Sequence, residues 1–246
     1  MSNLFLTKDL EPVRISADSP GAVKGIGERI TIAMITRNEE GAVAKVVKDI
    51  IKALPNAEIL IVDSSTDGTP EIARGLGARV IRQFPPEGYG PAMNKALRSG
   101  SREVVVTLDC DDTYPVEFIE PMARMVVEQQ WDLVDGSRLD GKPEAMPVLN
   151  YVANWSFAVL ASALFFRRVR DLHSGMRAYR KSLIDGLDYR AKGAALPVEL
   201  LLRPIREGWS VTTITIPYRP RIGDSKMRPL EGAWWTLKRI WLSRFA

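Results

Sequence analysis

The run Val105-Val106-Thr107-Leu108-Asp109-Cys110-Asp111-Asp112-Thr113 constrains this 246-residue chain more than any other stretch. Residues suited to a pleated, buried strand run directly into clustered carboxylates. A strand that is apolar on both faces belongs inside a parallel sheet covered by helices. In open sheets of that kind, ligands bind just beyond the carboxyl ends of the strands. Asp109 and Asp111 stand at that edge, with side chains able to converge on one hard cation. Oxygen-only donors at this spacing suit Mg²⁺ or Mn²⁺, which keep several waters and reach a substrate diphosphate through one or two carboxylates. Taken alone, the same residues also read as a polar turn that caps a helix.

The segments upstream repeat the pattern. Ile30-Thr31-Ile32-Ala33-Met34-Ile35 predicts a first strand, ended by Thr36-Arg37-Asn38-Glu39-Glu40. Ala42, Val43, Val46, Val47, Ile50, Ile51 and Leu54 then recur at helical spacing. A second strand, Glu58-Ile59-Leu60-Ile61-Val62, ends on Asp63-Ser64-Ser65-Thr66-Asp67-Gly68-Thr69-Pro70. That turn is rich in side chains that hydrogen-bond backbone, and Pro70 suits the first turn of the helix after it. A third strand, Ala78-Arg79-Val80-Ile81, precedes Gly88-Tyr89-Gly90-Pro91 and a helix through Ala92, Met93, Ala96 and Leu97. Strands alternating with helices predict an α/β fold with right-handed crossovers and a mostly parallel, Rossmann-like sheet flanked by helices. Three successive strand ends carry polar loops suited to a nucleotide and its metal. No Gly-x-Gly-x-x-Gly follows the first strand, which sets aside dinucleotide-dependent oxidoreduction.

In this order, strand–Asn-Glu–helix, Val-Asp-Ser-Ser-Thr-Asp-Gly-Thr, Gly-Tyr-Gly-Pro-Ala-Met and Leu-Asp-Cys-Asp-Asp-Thr-Tyr-Pro, the chain resembles family 2 glycosyltransferases of the GT-A (nucleotide-diphospho-sugar transferase) fold. The likeness continues through Gly136-Ser137-Arg138, Asp171-Leu172-His173-Ser174-Gly175-Met176-Arg177, Leu196-Pro197-Val198-Glu199-Leu200 and Arg221-Ile222-Gly223-Asp224-Ser225-Lys226. That later set is similar to the dolichyl- or polyprenyl-phosphate mannose synthase branch, which moves a hexose from a nucleotide sugar to a polyprenyl phosphate.

The resemblance implies residue roles. Ile35, Arg37, Glu39, Asp63 and Ser65 would surround the nucleotide, with Asp63 at the base. Asp109 and Asp111 would hold Mg²⁺ or Mn²⁺ across the diphosphate. Arg138, Arg177 and Arg221, joined by Lys226, would gather positive charge around donor and acceptor phosphates, a task for which guanidinium groups are suited because they stay charged and grip phosphate bidentately. Glu199 would orient the acceptor or the sugar hydroxyls. Asp111, Arg138, Arg221 and Glu199 are the expected catalytic set. The chain departs from the family pattern where Ile35-Thr36-Arg37 replaces a common Pro-Thr-Tyr, where Ser64 replaces a frequent aspartate, and where Thr113 stands in place of a glutamine. These departures leave donor base and sugar open between GDP-mannose and a UDP-hexose.

Two further segments bear on partners. Ala145 to Phe166 carries no charge, yet Pro147, Asn150 and Asn154 argue against a spanning helix. A partly exposed helix that receives a prenyl chain or touches a membrane, and an internal core helix, are both compatible with it. From Glu231 to Ala246, three tryptophans accompany Lys238, Arg239 and Arg244. This composition suits a helix in a lipid interface, or a helix docked with its tryptophans inward. The expected division is an N-terminal extension over 1–29, a catalytic domain over 30–228 and an amphipathic helix over 229–246.

The formal charge of +4 fits anionic substrates or lipid surfaces, and no nucleic-acid partner is expected. Cys110 is the only cysteine, which excludes a disulfide framework and reads as a small buried spacer. His173 is the only histidine, so no His-based zinc site is expected, and a structural role is the simpler one. The start has no basic region followed by an apolar core, so no signal peptide is expected.

A polyprenyl phosphate is already anionic and needs no general base, whereas a hydroxyl acceptor would need one from Glu199, Asp171 or Asp112. The leading expectation is an inverting, metal-dependent hexosyltransferase, peripherally bound at the cytoplasmic face of the membrane. A soluble glycosyltransferase with a hydroxyl acceptor and a non-catalytic nucleotide-binding subunit are the alternatives.

Overall fold

In the computed structural model, residues 25–190, 192–193, 195–223 and 229–245 are described. Seven strands form one sheet: β1 (Ile30–Thr36), β2 (Glu58–Asp63), β3 (Arg79–Arg82), β4 (Val104–Thr107), β5 (Leu133–Ser137), β6 (Arg177–Arg180) and β7 (Val211–Thr215). Their order is β3-β2-β1-β4-β6-β5-β7. The helices are α1 (Glu40–Ala53), α2 (Thr69–Gly75), α3 (Tyr89–Ser99), α4 (Ile119–Val127), α5 (Val148–Phe165), α6 (Lys181–Gly186), α7 (Leu196–Glu207) and α8 (Pro229–Phe245).

The first four strands follow directly from composition. β4 is buried along its whole length, and β1 and β2 nearly so, as expected of parallel strands covered on both faces. α1 packs Ala42, Val43, Val46, Val47 and Ile50 onto one side of them, and α3 packs Ala92, Met93, Ala96 and Leu97 onto the other. β6 breaks the parallel pattern, since it runs antiparallel to both β4 and β5. β7 then pairs in parallel with β5.

Arg177 fixes this irregular centre. Its side chain is 1% exposed, and its Nε donates to Asp135 Oδ1 on β5 at 2.6 Å. The guanidinium also donates to the carbonyls of Pro197 at the start of α7 and of Leu172 and Asp171. One side chain therefore ties β6 to β5, α7 and the loop before it. Arg177 is thus not among the groups facing a phosphate, contrary to the sequence expectation. Burial pushes the Asp135 carboxyl up to about 6, against the pull of Arg177.

α5 is long and apolar enough to cross a membrane by length and composition alone. Its two ends nevertheless lead to β5 and β6, which pair in the same sheet. The helix lies along the domain instead, with Ala158 and Ala161 buried, and Leu149 is 78% exposed on the opposite side. α8 packs beside α5 and α7. Arg239 of α8 pairs with the buried Glu199 of α7, and Arg244 donates to the Leu164 carbonyl of α5 at 2.9 Å. Ahead of β1, the 3-10 turn Ile26–Arg29 buries Ile26 in the core, so the packed domain begins before residue 30. Of the extended arm expected over residues 1–29, residues 1–24 lie outside the described residues.

Replacing one partner of a buried ion pair strands the other, at roughly 3–5 kcal/mol. Arg177→Met is accordingly expected to lower the urea midpoint by that equivalent with an unchanged denaturant slope. A loss below about 1 kcal/mol would show that Arg177 does not hold the sheet together.

Candidate active site

The carboxyl ends of β1 and β4 open on a cavity of about 650 Å³. Ile35, Thr36, Arg37 and Glu39 from the end of β1, Ser64 after β2, and Asp109, Cys110 and Asp111 after β4 line one part of it. Gly88 and Tyr89 at the start of α3, His173 and Gly175 before β6, and Arg221 line it too. Gly193, Pro197, Gly232 and Trp235 line it as well.

Local chemistry explains why the acidic loop points into this space. Asp111 Oδ1 accepts from the Thr113 amide at 3.1 Å and the Thr113 hydroxyl at 2.6 Å, a short local turn that fixes the carboxylate. Asp112 takes a left-handed conformation, φ 65°, and pairs with Lys45 at 2.8 Å on the outer side. Strain of this kind at a strand end marks a loop held in place by its surroundings. Arg221 reaches Asp111 Oδ2 at 2.5 Å with its side chain 33% exposed. The backbone of 219–222 runs beside the same loop, with the Arg219 amide on the Thr113 carbonyl at 3.0 Å and the Ile222 amide on the Asp111 carbonyl at 2.9 Å.

Asp109 takes no hydrogen bond from any described residue. Burial and the neighbouring Asp111 push its carboxyl up to about 7, while Arg138 and Arg221 pull the other way. A Cβ on Gly175 would lie 3.0 Å from Asp109 Oδ2, so a glycine there makes room for the carboxylate. Two crowded carboxylates fit a hard cation completed by waters and a diphosphate. Among the described residues no group of three or more His, Cys, Asp or Glu forms a complete cage. Cys110 is buried between them, its thiol pushed up by that burial, as a spacer would be.

The structure separates the expected site residues into two sets. Ile35, Arg37, Glu39, Asp109, Asp111 and Arg221 meet at the cavity. Asp63 and Ser65 lie behind it: Asp63 is fully buried and accepts from Thr36 Oγ1 at 2.6 Å, from Ser65 Oγ at 2.5 Å and from Arg82. Arg138 lies behind it as well, bidentate on Asp171 at 2.7 and 3.0 Å. Burial opposes the charge on Asp171, but Arg138 holds that carboxyl down at about 2. Glu199 is buried among Arg203, Arg239 and the Arg190 amide. Lys226 lies outside the described residues.

Sequence reasoning did not single out Trp235, Gly193, Gly232 or Tyr89 as cavity residues. His173 belongs to the Asp171–Arg177 motif of the resemblance, where a structural role is the simpler expectation. Its Nε2 meets Thr236 Oγ1 of α8 at 2.8 Å, and burial lowers its pKa to about 4, so the ring is neutral at physiological pH. α8 therefore closes the cavity with Trp235 and anchors its wall through Thr236.

A carboxyl raised in the fold is stabilising while protonated, and its charged form burdens the native state above its folded pKa. In EDTA, Asp109→Asn is expected to melt several degrees above the wild type at pH 8. The gap should close as pH falls from 7 toward 4. A pH-independent difference in calorimetric melting would refute the crowded-carboxylate account.

The description "Glycosyl transferase family 2" matches residues 31–187. The chain is 43% identical over 204 residues to a dolichyl-phosphate hexose transferase of Haloferax volcanii, covering 82% of this chain and 88% of that one. It is 27% identical over 228 residues to a polyprenol monophosphomannose synthase of Mycolicibacterium smegmatis, covering 86% and 85%. Glucosyl-3-phosphoglycerate synthase of Mycobacterium tuberculosis, solved with Mn²⁺, UDP-glucose and glycerol 3-phosphate, shares the fold with a TM-score of 0.71 at 20% identity, over 92% of this chain and 86% of that one. Fold, sequence and the family match agree: the chain belongs to glycosyl transferase family 2 and is a glycosyltransferase with the GT-A fold.

Proposed function

We propose that this enzyme transfers a hexose from a nucleotide sugar, GDP-mannose or a UDP-hexose, to a polyprenyl phosphate at the cytoplasmic face of a membrane. The observation that carries this reading is the pairing of the base candidates. Asp171 and Glu199 are buried on arginines, Asp112 is paired with Lys45, and none of these three candidate general bases lines the cavity. A carboxyl held near 2 does not collect a proton at neutral pH. A phosphate monoester brings its own anionic oxygen and requires only positioning. The relatives named for dolichyl and polyprenol phosphate support the same acceptor class.

The reaction then needs no proton transfer. An acceptor phosphate oxygen bonds to the anomeric carbon as the bond from that carbon to the nucleotide diphosphate breaks. The electron pair leaves with the diphosphate, and the configuration inverts. Asp109 and Asp111 would hold Mg²⁺ or Mn²⁺, which when bound neutralises the departing diphosphate. Arg221, already within reach of Asp111, adds a permanent positive charge on the same side. Ile35, Arg37, Glu39 and Ser64 line the part of the cavity left for the nucleoside.

The outer surfaces of α5 and α8 support the membrane reading. Trp234 and Trp241 are 66% and 60% exposed, and Leu237, Trp155, Val152 and Leu149 are exposed too. Lys238, Arg167 and Arg168 are exposed as well, a mixture suited to anionic head groups.

Titration calorimetry with GDP and UDP, with and without Mn²⁺, tests the donor half. One nucleotide should bind in a metal-dependent manner, and Asp109→Asn should lose that dependence. Transfer of labelled hexose to polyprenyl phosphate but not to polyprenol tests the acceptor half, and efficient transfer to the alcohol would overturn it. For the surface, co-sedimentation with anionic vesicles should fall about tenfold or more in Trp234→Ser/Trp241→Ser. Equal sedimentation of both proteins would rule these side chains out as the contact.

A further inference from the structure

Thr236 is on the inner side of α8, where its hydroxyl donates to the Gly232 carbonyl one turn earlier at 2.8 Å. A hydroxyl has a single proton, so toward His173 Nε2, also at 2.8 Å, the same oxygen is the acceptor. The proton of the neutral imidazole is therefore on Nε2. Nδ1 is left as a bare acceptor, buried and without a hydrogen-bond partner among the described residues.

The two ends of this bond are held very differently. On the His173 side the chain is fixed at several points. The His173 amide donates to Asp171 Oδ1 at 3.0 Å, and Arg138 clamps that carboxylate. Two residues on, the Gly175 amide donates to Tyr114 Oη at 2.7 Å, and the Gly175 carbonyl accepts from Thr107 Oγ1 at 2.8 Å. α8 has no such footing. Among its described residues Ile240 is the only fully buried apolar side chain, with Trp235 partly buried, while Thr236, Arg239 and Ser243 turn inward. A helix docked by apolar packing shows the reverse arrangement. Arg239 Nε and Ser243 Oγ have no partner among the described residues either, so part of this polar face is unsatisfied. The seat of α8 thus rests on a few directional bonds. They run from Thr236 to His173, from Arg239 to Glu199 and the Lys192 carbonyl, from Arg206 to the Ser243 carbonyl, and from Arg244 to the Leu164 carbonyl.

Of these bonds, the one from Thr236 stands beside the cavity. Trp235, its neighbour in the chain, lines that cavity, and a Cβ on Gly193 would lie 3.7 Å from the indole. Lys238 Nζ of the same helix is 5.2 Å from the ring centroid. An aromatic face joined to a cation suits an apolar chain that ends in an anion. The metal and diphosphate would be held elsewhere, on the Asp109–Asp111 loop braced by Gly175 and by residues 219–222. With Trp234 and Trp241 of α8 on the lipid, a polyprenyl phosphate reaches the cavity past this helix, whereas a nucleotide sugar arrives from water.

We propose that Thr236 is a positioning residue for the acceptor: its bond to His173 seats Trp235 in the cavity wall, and the indole guides the polyprenyl phosphate. This assignment rests on the polyprenyl-phosphate reading above and names the side chains that build the acceptor's seat.

Thr236→Val keeps the shape of the side chain and strands the Nε2 proton, whereas Thr236→Ser keeps the hydroxyl. Transfer kinetics in Mn²⁺, on vesicles carrying polyprenyl phosphate, are compared with titration calorimetry of the nucleotide that the wild type binds. In Thr236→Val the acceptor KM should rise roughly three- to tenfold, the range of one uncharged hydrogen bond, with kcat and nucleotide affinity within about twofold of wild type. Thr236→Ser should restore the acceptor KM. Trp235→Leu should raise it at least as far, and adding Thr236→Val to Trp235→Leu should change nothing more, because Thr236 acts through the ring. A parallel loss of nucleotide affinity would make the bond merely structural and overturn the proposal. An unchanged acceptor KM in Thr236→Val or in Trp235→Leu would overturn it, as would additive effects in the double variant. A wild type that binds nucleotide but transfers nothing to polyprenyl phosphate would instead bring down the acceptor reading, and this assignment with it.

Discussion

The buried Arg177–Asp135 pair is the constraint on which the catalytic face depends. It holds an antiparallel strand between two parallel ones, and it does so by donating also to backbone carbonyls of the loop that carries Asp171 and Leu172. That loop supplies His173 and Gly175 to the cavity, and Gly175 is the residue against which Asp109 rests. A second buried pair, Arg138–Asp171, pins the other side of the same loop. The two arginines are therefore structural supports for the acidic site, one layer behind the surface that meets substrate. The charge of Arg138 reaches the cavity as a field, pulling Asp109 down against the burial that raises it.

The strands at the centre of the sheet were legible because burial on both faces leaves only one solution for runs such as Ile30–Ile35 and Glu58–Val62. β6 was not. Arg-Ala-Tyr-Arg shows no apolar run, and its first arginine is inside only because Asp135 is there to receive it. The site divides along the same line. Asp109 and Asp111 could be read because a strand end fixes where they stand. Whether Arg138 or Glu199 faces substrate depends on partners 33 and 40 residues away, Asp171 and Arg239, and nothing local announces them. The Asp63 loop was placed correctly, but its aspartate turned inward because Thr36, Ser65 and Arg82 all converge on it.

α8 shows how two readings of one composition divide between two faces of a helix. The sequence offered a helix in the lipid interface or a helix docked on the domain, and the helix is docked along one face while the other carries exposed tryptophans. Trp235 and Thr236 look into the cavity, while Trp234 and Trp241 look out. Both tryptophan environments were present in the composition, and only the docking geometry assigns each ring to its side.

The position of β6 in the sheet also governs the order in which the molecule can assemble. β5 cannot join β4 directly, because β6 lies between them, and β6 arrives only after the whole uncharged helix α5 has been traversed. Closing that long connection costs entropy before any pairing repays it. Until it closes, the nucleotide half of the sheet ends in an unpaired β4 edge, and α5 waits longer still for α8, at the end of the described chain, to pack beside it. The same arrangement that brings the acidic loop, Gly175 and α5 together in the finished enzyme makes the middle of the chain its slowest and most adhesive part during folding.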